Sequence, residues 1–182
     1  DNLKWSNGEP LRASDFLFAW RRLLLPDTGA DYMRQLQLIK GGEDFSSWRL
    51  ESLKLAARAE GPTGAELWAL TLAKFDQLVH ARAPDDRTLL VTLEHPAPYF
   101  LDLLAMPPFF PVYPPLVSQY ERVDPATGRL IIESGWTKPG RIVSNGPFIL
   151  STWRFKRDMR LEANPHHRLF DSLAIRSISI PT

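Results

Sequence analysis

The sequence contains no cysteine. This absence excludes a disulfide framework, a thiol nucleophile and any zinc site built on cysteine. Long apolar runs are also missing, because the longest apolar region, residues 99–115, is interrupted by Asp102 and five prolines. It therefore falls short of the roughly 18 apolar residues that span a bilayer. Neither sign of charge is in excess, since 22 Lys and Arg stand against 21 Asp and Glu. A near-neutral chain without a long basic run is not typical of a dedicated nucleic-acid binder.

The 182 residues have the composition of an ordinary globular protein: 44% are hydrophobic, and sixteen prolines are spread over short turns. A chain of this length can bury about 70% of its extended-chain surface, which is enough for a core. It begins with Asp1, and no basic start followed by an apolar run precedes the first turn. We therefore expect the chain to be processed or cut from a longer one. The composition predicts a mixed α and β protein and no more.

The clearest periodicity lies in residues 13–25. Apolar side chains recur at helical spacing, with an acidic residue in the first turn, two arginines late and Pro26 as the stop. Phe18 lies about 200° away from the apolar stripe at 100° per residue. A large apolar side chain on the far face of a helix forms either a second contact surface or a ligand wall. The helix geometry alone does not distinguish between a contact surface and a ligand wall, and both interpretations of Phe18 stay open.

The other elements are predicted from shorter patterns. Helices are expected over residues 31–40, over 48–59 with Ser46 or Ser47 as the N-cap, over 65–78 and over 99–105, with helical turns at 116–122. Strands are expected at 79–83 and 88–93, a hairpin at 148–153 and 158–163, and a terminal strand at 174–180. Residues 109–113 are expected to be an edge strand or extended, and residues 123–143 a loop. The expected fold class is α+β or mixed α/β, with helices packed on small mixed β-sheets.

Few residues suggest chemistry. His166 and His167 follow Asn-Pro and are interpreted as a solvated turn, since neighbours in a strand point to opposite faces and cannot share a metal. Asp85 and Asp86 are interpreted as turn formers, because aspartate accepts backbone hydrogen bonds. No phosphate-binding glycine loop or nucleophile elbow is present, so we expect no catalytic residue, no metal and no cofactor.

The densest basic patch comprises Arg154, Lys156, Arg157 and Arg160. Alternate positions on a hairpin can line up on one face, so an anion or nucleic-acid site is one interpretation. A solvated outer face is the favoured one, because a nucleic-acid platform needs exposed aromatic side chains interleaved with the cations.

Several short motifs resemble one family in their order and spacing. The strongest is Trp5-Ser6-Asn7-Gly8-Glu9-Pro10-Leu11 followed by Ala13, Asp15, Phe16, Trp20 and Leu23. Further matches are Pro26, Tyr32, Asp85-Asp86, Thr88, Val91-Thr92-Leu93, Pro96, Pro98-Tyr99-Phe100, Ser144-Asn145-Gly146-Pro147-Phe148, Trp153, Leu161-Glu162 and Asn164-Pro165. Together they resemble the oligopeptide and dipeptide substrate-binding proteins of ABC importers, the family 5 extracellular solute-binding proteins.

The resemblance implies a function and a location. Such proteins are two-lobed receptors with a periplasmic-binding-protein type II-like fold that close on an extended peptide and deliver it to a membrane permease. They lie in the periplasm, or outside the cell on a lipid anchor. The resemblance further implies ligand contacts at Phe18, Asn145 and Gly146, no nucleic-acid partner and no enzyme activity. Where this chain has Phe18, a relative has a tyrosine facing the peptide, so a hydrogen bond to the ligand is lost.

The resemblance also implies a division into lobes. Residues 1–99 resemble part of the small additional lobe, with an insertion at about 41–78, and residues 100–182 resemble the start of the return into the first α/β ligand-binding lobe. Full-length members are much longer, so we expect a fragment that binds peptide very weakly alone and self-associates through lobe surfaces left exposed. Arg12 stands where the family has a Thr or Ser helix cap, so another group must cap that helix.

Three other functions stay open. The same fold could be the sensing domain of a regulator, distinguished by a DNA-binding segment before Asp1. The cargo could be nickel, a sugar or another non-peptide solute. An enzyme such as a hydrolase is the weakest alternative, because no nucleophile, base and orienting group can be assembled from these residues.

Overall fold

The computed structural model describes residues 3–181 and divides into two compact units. The helical unit comprises residues 12–111 and 121–132, and the sheet unit comprises residues 3–11, 112–120 and 133–181. Among the described residues, every helix is too short or too polar to cross a bilayer. Each unit has its own core.

The helical unit is built mainly from three helices of three to four turns, joined by short elements. In chain order these are α1 (Ala13–Leu24), α2 (Met33–Leu36), α3 (Gly42–Ala57), α4 (Gly64–Leu78), β1 (Ala81–Arg82), β2 (Leu90–Val91), α5 (Phe100–Leu103), β3 (Glu121–Val123) and β4 (Leu130–Ile132). Strands β1 and β2 pair antiparallel, as do β3 and β4. Helical 3₁₀ turns at Pro26–Thr28 and Pro107–Phe109 complete the unit.

Aromatic side chains fill the core around α1. Trp20 is 1% exposed, and its indole Nε1 donates to the Phe109 carbonyl at 3.0 Å. The Phe109 ring lies edge-on to both Trp20 and Phe100, with centroids 6.2 Å apart in each pair. A buried indole needs a partner for its N–H, so this bond fixes the segment after α5 against α1.

Helix α1 begins without the usual capping side chain. The Arg12 N–H donates to the Asp15 carboxylate at 3.0 Å, and the Ala13 N–H donates to the Asp86 carbonyl at 2.9 Å. Two of the donors left free at a helix start are thereby satisfied. The expected substitute for a Thr or Ser cap is thus Asp15 together with the backbone of the β1–β2 turn.

A buried ion pair joins four segments of the helical unit. Arg49 of α3 and the Asp27 carboxylate are both 0% exposed in their side chains, with Arg49 Nη2 2.7 Å from Asp27 Oδ1. Arg49 also donates to Thr71 Oγ1 at 2.9 Å and to the Gly128 carbonyl at 2.7 Å. Asp27 accepts the Leu130 N–H as well, at 2.7 Å. Charges removed from water require this degree of pairing.

The sheet unit contains one antiparallel sheet and one short helix. Its elements are α6 (Pro114–Val117), β5 (Phe148–Arg154), β6 (Asp158–Ala163) and β7 (Ser177–Pro181), with 3₁₀ turns at Ser118–Tyr120 and Phe170–Ser172. The strand order is β5-β6-β7, with a register shift between Leu150 and Thr152. Trp5 is 1% exposed, and its ring packs 5.6 Å from that of Tyr113.

Two element predictions are wrong. Helix α3 begins at Gly42 and not near 48, because Gly41 at φ +76° starts it; a Cβ on Gly41 would also lie 1.8 Å from the Leu78 carbonyl oxygen. Residues 123–143 are not all loop, since Leu130–Ile132 pairs with Glu121–Val123. Residues 109–113 form no strand; Phe109 closes a 3₁₀ turn, and the backbone is extended at Phe110 and Tyr113, in agreement with the second expected alternative. The mixed α and β fold class is confirmed.

Candidate functional site

Three turns meet in the sheet unit, and they carry much of the motif pattern. They are the 5–9 turn, the 144–147 turn and the 164–167 turn, which we call together the three-turn assembly. In the 5–9 turn, the Asn7 carboxamide oxygen accepts the Glu9 N–H at 3.1 Å, and the Trp5 N–H donates to the Glu9 carbonyl at 2.8 Å. Gly8 has φ +87°, a backbone conformation that favours glycine, and a Cβ there would also lie 3.1 Å from the His166 ring.

Two serines join the first turn to the second. The Ser6 N–H donates to the Ser144 carbonyl at 2.7 Å, and the Ser144 N–H donates to Ser6 Oγ at 3.2 Å. These residues are 138 positions apart in the sequence, so the bonds fix a long-range contact. The two Ser-Asn-Gly motifs are therefore structural partners.

Asn164 fixes the second turn from the other side. It is 0% exposed, and its Nδ2 donates to the Gly146 carbonyl at 2.9 Å. Its N–H donates to the Pro147 carbonyl at 2.8 Å, and its Oδ1 accepts the His166 N–H at 3.0 Å. A buried residue with two hydrogen bonds through its carboxamide and one through its N–H is rigid, so the 144–147 turn is held at both ends.

Asn145 lies between these anchors and is half-buried. Within residues 3–181 its carboxamide forms no hydrogen bond, and neither its own N–H nor that of Gly146 does. The turn therefore presents two backbone donors and one amide on a rigid support. Such groups can bind the main chain of an extended peptide.

Phe18 belongs to the helical unit, whereas Asn145 and Gly146 belong to the sheet unit. The Phe18 side chain is half-buried, and the Arg21 guanidinium carbon lies 5.7 Å from its ring centroid and 5.9 Å from that of Phe75 in α4. Burial lowers the pKa of Arg21, while the carboxylates of Asp76 and Glu121 act in the opposite direction. Arg21 therefore lies near both the Phe18 ring of α1 and the Phe75 ring of α4, and part of the Phe18 ring stays exposed.

Neither aspartate of the 85–86 pair is placed for acid–base chemistry. The Asp85 carboxylate accepts the N–H groups of Arg87 and Thr88, both at 2.8 Å, and these bonds lower its pKa. Asp86 pairs with Arg12 at 3.3 Å on the surface. The prediction that both residues form a turn is confirmed.

His166 and His167 lie in a turn, as predicted, and the His167 N–H donates to the Asn164 carbonyl at 3.1 Å. No group of three or more His, Asp or Glu side chains in the described part of the chain is arranged to hold a metal ion.

Two surface grooves lie in the helical unit. A polar one of about 480 Å³ runs beside β1 and β2, lined in part by Asp76, His80 and Arg82. An apolar one of about 290 Å³ lies between α3 and the β3–β4 turn, lined in part by Leu50 and Leu53. Sequence patterns gave no signal for the apolar groove, because it combines segments distant in the sequence.

Comparison with known proteins identifies the family. Residues 1–180 match the model of the bacterial extracellular solute-binding proteins, family 5. The chain belongs to this family, which confirms the resemblance of its motifs.

Individual relatives agree with this assignment. The chain is 34% identical to the dipeptide-binding protein DppE of Bacillus subtilis over 162 residues, which are 89% of this chain and 23% of that protein. It is 30% identical to the probable deoxycholate-binding periplasmic protein YgiS of Escherichia coli, over 91% of this chain and 25% of that protein. The structure of Listeria monocytogenes OppA bound to peptide is similar at a TM-score of 0.71 and 26% identity, covering all of this chain and 29% of that one. The chain thus spans about a quarter of its curated relatives.

Proposed function

We propose that the chain is part of an extracytoplasmic receptor that binds oligopeptides for an ABC importer. The observation that carries this proposal is the family match over residues 1–180, together with similarity to a peptide-bound structure along the whole chain. The receptor binds its solute and has no catalytic activity. It delivers the solute to a membrane permease, and a lipid anchor on the intact protein is part of the proposal.

Three residues are proposed to contact the ligand. Asn145 and Gly146 offer free backbone N–H groups on a turn held by Ser6 and Asn164. Phe18 offers the remaining exposed part of a ring whose position Arg21 fixes. Hydrogen bonds to the peptide main chain give affinity without requiring a particular peptide sequence.

The lobe assignment also stays part of the proposal. Residues 1–99 would belong to the small additional lobe, with an insertion at about 41–78, and residues 100–182 to the first ligand-binding lobe. A receptor that closes by a hinge needs ligand contacts on both lobes, so one part alone has little affinity. We expect isothermal titration to detect no micromolar peptide binding by the isolated 182-residue chain.

The direct test is native mass spectrometry of the intact gene product. We expect retained peptides of a narrow length range, and titration of the emptied protein with such peptides to give saturable binding. Asn145→Ala should weaken that binding, whereas Asn7→Ala, in the neighbouring turn, should change stability more than affinity. An intact protein that retains no peptide and binds none would overturn the proposal.

A second cargo class is favoured by one comparison. The relative named as a probable deoxycholate-binding protein is 30% identical over most of this chain, which indicates that close relatives differ in solute. Titration of the intact protein with deoxycholate, alongside peptides, distinguishes the two classes. Saturable binding of the bile acid without peptide binding would show that the solute of the receptor is an amphiphilic anion and not a peptide.

A further inference from the structure

The turn between β5 and β6 exposes an aromatic side chain among cations. Phe155 is 79% exposed, the largest exposed fraction among the large hydrophobic side chains of the described residues. Lys156 and Arg157 follow it directly and are also exposed. We call residues 154–157 the hairpin tip.

The charges at the hairpin tip are not all compensated. Arg154 forms a bidentate pair with Asp158, and Arg160 pairs with Glu162 at 3.4 Å. Among residues 3–181, Lys156 and Arg157 form no ion pair. Two cations thus remain available to an external anion.

The backbone presents these groups outward. The Arg157 N–H donates to the Arg154 carbonyl at 2.9 Å, closing the turn, and Lys156 has φ +56°. The Lys156 ammonium lies 5.4 Å from the Phe155 ring centroid. The exposed ring and the two cations therefore project together from one turn.

We propose that the hairpin tip docks on the surface of an anionic phospholipid bilayer. The aromatic ring would enter the headgroup region, where amphipathic aromatic side chains are favoured, and the two free cations would bind lipid phosphates. A projecting turn suits a surface more than a strand of nucleic acid, because Lys156 already lies over the Phe155 ring that a base would stack on. The proposal does not depend on which solute the receptor carries.

The test is vesicle co-sedimentation of the intact gene product, prepared without a lipid. Vesicles of phosphatidylglycerol and phosphatidylcholine in equal parts should bind it, and pure phosphatidylcholine should not. Removing two cations near the surface by Lys156→Gln with Arg157→Gln should lower the partition coefficient about 25-fold. Phe155→Ser should lower it at least about tenfold.

Matched variants control for general charge and apolar surface. Lys138→Gln with Arg168→Gln removes two exposed cations elsewhere in the sheet unit, and Leu169→Ser removes an apolar side chain that is 45% exposed. Both should bind vesicles like the unmodified protein. The proposal fails if neither vesicle binds, if both lipids bind equally, or if the control variants lose as much as the tip variants. Tighter binding to a single-stranded oligonucleotide than to anionic vesicles would also overturn it.

Discussion

Arg49 is a buried cation with four hydrogen bonds, and the helical unit depends on it. We expect Arg49→Met to lower the free energy of unfolding by about 3–5 kcal/mol, because it leaves the Asp27 carboxylate buried without its partner. Urea unfolding measures the loss. Arg58→Met changes an exposed arginine just after the same helix, and it should cost no more than about 0.5 kcal/mol.

A small effect of Arg49→Met would contradict the buried pair. A loss below about 1 kcal/mol is typical of a solvent-exposed salt bridge. That result would mean that water reaches Asp27 and that the contact among α3, α4 and the β3–β4 turn is looser than the structure describes.

Asp85 provides a test by pH. Hydrogen bonds from the Arg87 N–H and the Thr88 side chain and N–H lower the pKa of its carboxyl. A lowered folded-state pKa contributes stability that is fully present above the unfolded value of about 3.9 and is lost as pH falls through the folded value. Carboxyl-detected NMR titration should therefore give a lower midpoint for Asp85 in the protein than in a peptide of residues 82–89. Equal midpoints would show that the turn does not hold the carboxylate.

The burial of some side chains could be predicted from the sequence, and the burial of others could not. Trp20 and Leu24 are buried, as expected from the apolar stripe of α1. Arg49 is equally buried but could not be predicted, because an arginine in an amphipathic helix normally lies at the surface. Its partner Asp27 follows a proline in a turn, and only the three-dimensional structure brings the two together.

At the scale of elements, the role expected for Ser46 is wrong, although the residue does bind the end of a helix. It was expected as a possible N-cap of α3, but it lies inside that helix, and its Oγ donates to the Leu24 carbonyl at 2.9 Å. It thus satisfies a free carbonyl at the end of α1. We expect Ser46→Ala to cost about 1–2 kcal/mol because that buried carbonyl loses its partner.

Ser47 is the matched control for this substitution. It is exposed on the same helix, so Ser47→Ala should change the free energy of unfolding by less than about 0.5 kcal/mol. Chemical denaturation of both variants gives the comparison. Similar losses for both would indicate that helix propensity, and not the bond to α1, determines the effect.

Strong periodicity predicted elements well, and the strands β3 and β4 were missed. The helix at residues 13–25 is found at Ala13–Leu24, and the 148–163 hairpin is found at Phe148–Arg154 and Asp158–Ala163. Strand β4 has only three residues, too few for a period of two to stand out. The Ser6–Ser144 contact of the candidate site was also unpredictable, since nothing local marks two serines 138 positions apart as partners.

At the scale of the whole molecule, one face of the β5–β6–β7 sheet is apolar and partly exposed. Trp153 pairs with Met159, which pairs with Ile180, and Leu161 pairs with Leu150 and Ile178 on the same side. Trp153 is 55% exposed and Ile180 42% exposed. The chain spans about a quarter of its curated relatives, and we expect the remainder of the intact receptor to cover this face.

That face makes self-association of the isolated chain a testable consequence. We expect sedimentation velocity to show concentration-dependent dimers or larger species of the 182-residue chain, since contiguous exposed apolar surface drives association. Trp153→Thr with Ile180→Thr should restore a monomer while keeping strand propensity. Arg160→Thr, on the opposite face of β6, should leave the association unchanged. The intact gene product should stay monomeric, because the rest of the receptor would cover this face. A monomeric isolated chain at high concentration would contradict the prediction and would show that the apolar face is tolerated in water.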